Sequence, residues 1–237
     1  VGLEQIDYAD GEVALTGWLA RPVGPPRGAI VVFPTIMNVN APIERRAVML
    51  AEAGFMTLIA DFYGTPVTDF AQVLDLANAL RADVDGYRRR IGAGIAALRA
   101  VAGDRTLSAV GYCMGGQAVL EAARAGENLA LVASFHGILS TDRPATAQTP
   151  IAPRILISHG DADPLVPREQ VLAFWEEMDA AGGNWHFHSY AGVKHGFTDP
   201  GSDARGMPAI GYDASADRQS WSALIGLLDE IYDFSPP

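Results

Sequence analysis

Apolar and polar positions fall into two interleaved patterns along this chain. Short, nearly uninterrupted apolar runs recur at 29–33, 55–60, 107–111, 129–135 and 154–158. A central strand buried on both faces needs such a run. Between the runs, apolar residues take helical spacing over 42–54, 65–81, 86–101, 117–125 and 169–181, and again over 215–232. Pro42 suits the first helical position, and Gly54 suits the position just past the helix end. Two segments alternate instead. Residues 12–19, with Val13, Leu15 and Trp18, read as an antiparallel edge strand, and residues 185–190 read as the last strand. Residues 144–153 are rich in Pro, Thr and Ala and read as a long loop between two strands. A strand or two followed by repeated β-α units predicts an α/β fold, a mostly parallel sheet with helices on both faces. Ligands of such sheets bind beyond the carboxyl ends of the strands.

Length and composition narrow the picture. The chain has 237 residues, long for one domain but within the α/β range. No internal repeat, low-complexity stretch or linker interrupts it, so one domain over 1–237 is expected. Its formal net charge of -11 repels phosphate backbones and argues against a nucleic-acid partner. Arg88, Arg89 and Arg90 form a short basic run within a helical pattern and read as a solvated helix face. A single cysteine rules out an internal disulfide. No apolar run reaches the length of a membrane span, and residues 1–7 lack a basic region followed by an apolar stretch. A cytoplasmic protein without a membrane partner is the expectation; the oligomeric state stays open.

The chemistry concentrates after three of the strands. Gly111-Tyr112-Cys113-Met114-Gly115-Gly116 follows one strand and precedes a helix. This is the sharp turn that lifts a nucleophile above a sheet, with Cys in place of Ser. The helix N-terminus aims its free amides at the turn and favours a thiolate or an oxyanion. Taken alone, Cys113 reads equally well as a small buried apolar residue. Two further segments shift the balance. His159-Gly160-Asp161-Ala162-Asp163 follows the 154–158 strand, and Lys194-His195-Gly196-Phe197 follows the last one. Asp163 is the preferred acid because it immediately precedes the 164–167 turn, whereas Asp161 reads as an Asx-type turn residue. His195 is then the general base. The order nucleophile, acid, histidine is that of the α/β-hydrolases. His186 and His188 share a strand face, but without a third ligand they read as surface histidines. No metal or organic cofactor is expected. His136 ends a strand and borders the expected pocket, and His159 is expected to make structural hydrogen bonds.

These residues resemble the dienelactone hydrolase family over most of the chain. The likeness runs through Asp61-Phe62-Tyr63-Gly64, Gly111 to Gly116, Ser134-Phe135-His136-Gly137, the Asp163 segment, His195 to Pro200, Tyr212 and Ser220-Trp221. It implies an α/β-hydrolase fold and a Cys113–Asp163–His195 triad. It also implies an oxyanion hole from the backbone amides of Ile36 and Met114. The candidates for substrate contact are Thr35, Tyr63, His136 and Phe197, with residues 65–90 covering the site. Three departures bear on the substrate. Thr35 stands where the family carries a thiol-controlling glutamate. Thr65 and Asp199 stand where it carries arginines for a substrate carboxylate. Asp199 would repel an anion, which points to a neutral small-molecule ester or lactone. Two other readings stay open: a peptide or amide hydrolase, and a non-catalytic or weakly active binding protein on a hydrolase scaffold.

Overall fold

The structure is a computed structural model and describes residues 1–233. Eight strands form one sheet: β1 (Leu3–Asp10), β2 (Val13–Ala20), β3 (Gly28–Phe33), β4 (Phe55–Ile59), β5 (Leu107–Tyr112), β6 (Leu131–Phe135), β7 (Arg154–Gly160) and β8 (Asn184–Tyr190). Their order across the sheet is β1-β2-β4-β3-β5-β6-β7-β8. β1 pairs antiparallel with β2, and β2 with β4, while the rest of the sheet is parallel. The helices are α1 (Ala41–Glu52), α2 (Phe70–Ala82), α3 (Val84–Ala102), α4 (Met114–Arg124), α5 (Arg168–Ala180) and α6 (Ala214–Tyr232). No helix among the described residues is long and apolar enough to cross a membrane.

The apolar runs become central strands because both of their faces are covered. In β3, Ala29, Val31 and Phe33 enter one core, while Ile30 and Val32 enter the other. α3, α4 and α5 close the first core, and α1 and α6 close the second. α2 buries only Val73 and Ala77, and forms an outer layer against α3.

Several boundaries differ from the sequence expectation, each for a local reason. β1 was not expected as a separate strand. Its Glu4, Gln5 and Asp7 dilute the apolar signal, since it is an edge strand with one exposed side. The tight turn at Gly11 (φ 60°) folds it back on β2. α1 is capped by Asn40, whose side chain accepts from the Ile43 amide, so Pro42 falls at the second helical position rather than the first. The expected 65–81 helix starts only at Phe70, where the Asp69 carboxylate accepts from the Ala71 amide at 2.7 Å. Pro66 keeps Thr65 out of helical backbone. α4 starts at Met114, three residues before the expected Gln117, because the chain turns from strand to helix across one residue.

Candidate active site

That single residue is Cys113. Lying between the end of β5 and the start of α4, it adopts φ 56° and ψ −116°. A residue with a side chain holds such a backbone only when its surroundings enforce it. Here the Cys113 amide donates to the Phe135 carbonyl at 3.0 Å, and its carbonyl accepts from Gly116 and Gln117 at 2.9 and 3.2 Å. The Tyr87 hydroxyl, on α3, donates to the Met114 carbonyl at 2.9 Å. The elbow lies hard against β3: a Cβ at Gly115 would stand 2.0 Å from the Phe33 carbonyl oxygen. Cys113 is left half-buried at the carboxyl end of the sheet.

Asp163 and His195 come together beside it. His195 Nδ1 lies 2.7 Å from Asp163 Oδ2, and both residues are buried. The other carboxylate oxygen, Oδ1, accepts from the Leu165 amide at 2.9 Å, so the 163–166 turn orients the acid. Asp161 instead pairs with exposed Arg168 at 2.7 Å. His195 rides on a loop rather than a strand. Its amide donates to Ala209 at 3.1 Å and its carbonyl accepts from Gly211 at 3.1 Å. The Ser202 hydroxyl donates to Gly196 at 2.7 Å.

The loop carrying Ile36 is fixed by Asn38, which the sequence did not flag, together with Thr35, Asp61 and Tyr63, which it did. Thr35 and Asn38 close a turn, with the Asn38 amide donating to Thr35 at 2.9 Å and Asn38 at φ 58°. The Asn38 side chain donates to Asp61 Oδ1 at 2.8 Å and accepts from the Phe62 amide at 3.1 Å. Asp61 also accepts from the amides of Thr16, Tyr63 and Gly64. The Tyr63 hydroxyl donates to the Ile36 carbonyl at 3.0 Å. The turn around Ile36 is therefore held from two sides, and the amides of Ile36 and Met114 help to lower the Cys113 thiol.

The electrostatics form a mutually supporting pair. Burial pushes the Cys113 thiol up, but the charge and hydrogen bond of His195 outweigh it, and the two amides add to them; the thiol ends below its ordinary range. Burial likewise disfavours a charged His195, yet the Cys113 thiolate and Asp163 prevail and raise it. Thiolate and imidazolium are thus favoured together. A depressed thiol keeps its reactive thiolate as pH falls. Alkylation of Cys113 by iodoacetamide should hold its rate below the usual thiol midpoint of about 8.5. In His195→Ala the midpoint should move up. A pH–rate profile that the replacement leaves in place would refute the pairing.

The remaining candidates are distributed unevenly. Thr35 is half-buried, and its hydroxyl accepts from the Met37 amide at 3.2 Å. Tyr63 is half-buried, with burial holding its hydroxyl protonated. His136 and Phe197, expected to touch substrate, are instead buried under 5% exposure and pack against each other edge-to-face. Thr65 is exposed. Asp199 forms an ion pair with Arg205, so its charge is balanced and the expected repulsion of anions is weakened. Arg88 pairs with Glu121 at 2.8 Å, Arg143 with Asp85, and Arg81 bonds to Asn78 at 2.8 Å. His186 is exposed at the sheet edge, and no group of metal-binding side chains forms among the described residues. The buried His159 packs on Phe187, an aromatic contact in place of the expected hydrogen bonds.

Comparison with known proteins decides the family. The sequence profile of the dienelactone hydrolase family matches residues 15–232. The chain belongs to that family. This dienelactone hydrolase family member is a hydrolase with the eight-stranded α/β-hydrolase sheet. It is 33% identical to a dienelactone hydrolase-like promiscuous phosphotriesterase from metagenomic libraries. That crystal structure superposes with a TM-score of 0.90, covering 97% of this chain and 98% of the other. A probable 2-oxo-3-(5-oxofuran-2-ylidene)propanoate lactonase of a Bradyrhizobium species is 28% identical over 224 residues, 86% of this chain and 87% of the lactonase. An uncharacterised protein of Caenorhabditis elegans is 36% identical over 146 residues, 60% of this chain and 92% of that protein.

Proposed function

We propose that this hydrolase cleaves neutral carboxylic esters or lactones through a thioester acyl-enzyme on Cys113, with His195 as general base and Asp163 as its orienting acid. The observation that carries the reading is a half-buried cysteine held at φ 56° on the strand-to-helix turn, together with the buried 2.7 Å bond between His195 and Asp163. Likeness to a probable lactonase supports the cleavage of a lactone, although the substrate in that relative's name is a carboxylate. The absence of charge on Thr35 favours a neutral acyl group.

The steps follow from the groups present. The Cys113 thiolate attacks the carbonyl carbon, and the π electrons move onto oxygen. The amides of Ile36 and Met114 hold the oxyanion, each worth roughly 3 kcal/mol. Collapse re-forms the carbonyl and breaks the C–O bond, and the departing alkoxide takes the Nε2 proton of His195. Asp163, bound to Nδ1, keeps the ring in the tautomer that serves Cys113. Water then gives a proton to His195 and attacks the thioester. The thiolate leaves and the acid is released. A lactone would leave as a hydroxy acid. A second reading, cleavage of organophosphate triesters, is favoured by the likeness to the phosphotriesterase. The same thiolate would attack phosphorus and expel an aryloxide, and water would then attack phosphorus and break the S–P bond, releasing the phosphate diester and restoring the Cys113 thiolate.

The test is turnover of a panel of neutral p-nitrophenyl esters and lactones by wild type and Cys113→Ala. No turnover across the panel, or turnover that the replacement leaves unchanged, overturns the reading. On the best ester, Asn38→Ala should lower kcat by roughly 10- to 100-fold with little change in KM. It frees the loop that aims the Ile36 amide, a donor used mainly in the transition state. Unchanged kcat, or a loss entirely in KM, would show that the loop holds without this side chain.

A further inference from the structure

The His195 ring, bonded to Asp163 at Nδ1, also meets the ring of His136. We propose that His136, Thr198 and Arg46 form a buried strut that fixes the His195 imidazole in the orientation from which it serves Cys113. This makes His136 and Thr198 positioning residues and rests on the reading of His195 as the base.

The geometry is drawn from four separate places in the chain. Thr198 lies three residues after His195 and is 5% exposed. Its hydroxyl lies 2.9 Å from His136 Nε2, at the end of β6. Its carbonyl accepts from Arg46, on α1, at 3.0 Å. Arg46 in turn pairs with Asp217 on α6, and its guanidinium lies over the rings of Tyr112 and Trp221, 5.8 and 5.3 Å from their centroids. Arg46, Asp217 and His136 are each exposed by 6% or less. The His136 ring stands edge-to-face on His195, with centroids 5.1 Å apart. His195 is therefore held at Nδ1 by Asp163 and against its ring by His136.

Two features show that this arrangement is more than packing. His136 takes φ 42°, a conformation that costs a residue with a side chain and tends to collect at functional sites. Its amide donates to Ser158 at 2.8 Å, which pins the strained backbone. A buried ion pair such as Arg46–Asp217 gains little over apolar packing of the same volume, whereas it does impose a definite geometry on what it binds. What it binds is the carbonyl of Thr198.

The charged and titratable groups around the two histidines are Cys113 and Asp163, Tyr112 at the end of β5, Arg45 and Arg46 from α1, Asp217 from α6, and Arg205. Arg45 reaches the Thr198 carbonyl at 3.4 Å. Burial, His195 and Arg46 together keep His136 uncharged. A neutral ring can lie against an imidazolium; a second imidazolium would repel it.

Thr198→Val removes the hydroxyl at nearly constant volume, and Thr198→Ser keeps it. We expect Thr198→Val to lower kcat on a p-nitrophenyl ester about tenfold with KM within about twofold, because the ring is misaimed while substrate contacts stay. The midpoint of Cys113 alkylation should also move to higher pH, and Thr198→Ser should restore both. A purely structural role would lower the melting temperature and leave that midpoint in place. Should Thr198→Val not fold, His136→Phe keeps the ring contact, loses only the Nε2 bond, and should show the same two changes. A folded variant with wild-type kcat and midpoint overturns the strut, as does a serine variant as impaired as the valine. His195→Ala separates the layers. If it shifts the alkylation midpoint and the strut variants do not, the strut alone falls. If it shifts nothing, the Cys113–His195 pairing falls and takes the strut with it.

Discussion

Cys113→Ala is expected to lower kcat for ester hydrolysis by at least about a thousandfold while leaving the melting temperature near that of wild type. The two halves of this expectation come from different features. The thiolate is the nucleophile that forms the acyl-enzyme in the proposed route, so its loss leaves only the oxyanion amides and substrate binding, which sustain a small residue of catalysis over water. The fold, by contrast, uses the Cys113 backbone rather than its sulfur. The amide and carbonyl make the hydrogen bonds of the elbow, and alanine keeps both, together with the Cβ that already tolerates φ 56°. Turnover per active site and a thermal melt of the same preparation make the comparison. Activity retained in the folded variant would remove Cys113 from the reaction. Activity lost with a fall of many degrees would mean that the sulfur is a core group.

Gly111→Ala should do the reverse and strike stability. The added Cβ would lie 1.8 Å from the Gly115 carbonyl oxygen, 2.2 Å from its carbon and 2.7 Å from the Gly116 nitrogen. All three are backbone atoms of the first turn of α4, so no side chain can swing away. Relief requires α4 to lift off β5, which opens the core that both help to close. A forced backbone shift of this kind costs roughly 3 kcal/mol or more. For a chain of this size that corresponds to a fall in Tm of about 6 °C or more. A melt within about a degree of wild type would show that the elbow can widen at little cost.

The parts legible in the sequence were those governed by neighbours along the chain. Residues 29–33 read as a central strand because every side chain in the run must avoid water, whichever helices cover it. Gly111 read as part of an elbow because the clash it avoids is with residues only four or five positions away, whereas the close approach of Gly115 to Phe33 depends on β3 lying beside the elbow. Strand β1 escaped because pairing with β2, rather than its own composition, makes it a strand. Asp163 could be preferred over Asp161 from its turn, but the 2.7 Å approach to His195 joins residues 32 apart.

The supports of the site lay beyond such reading. Asn38 carries no motif; it matters because β3 and β4 are adjacent, which brings Asp61 and Phe62 to its side chain. Arg46 looked like any helical arginine, and only the packing of α1 against the same sheet face as α6 sets it between Asp217 and Thr198. Sequence alone determined the α/β alternation, the elbow and the three residue types of the candidate triad, because burial and steric exclusion act locally. Tertiary structure alone decided which atoms orient them, because a hydrogen bond between distant residues depends on where the sheet brings their backbones, and no local pattern encodes that.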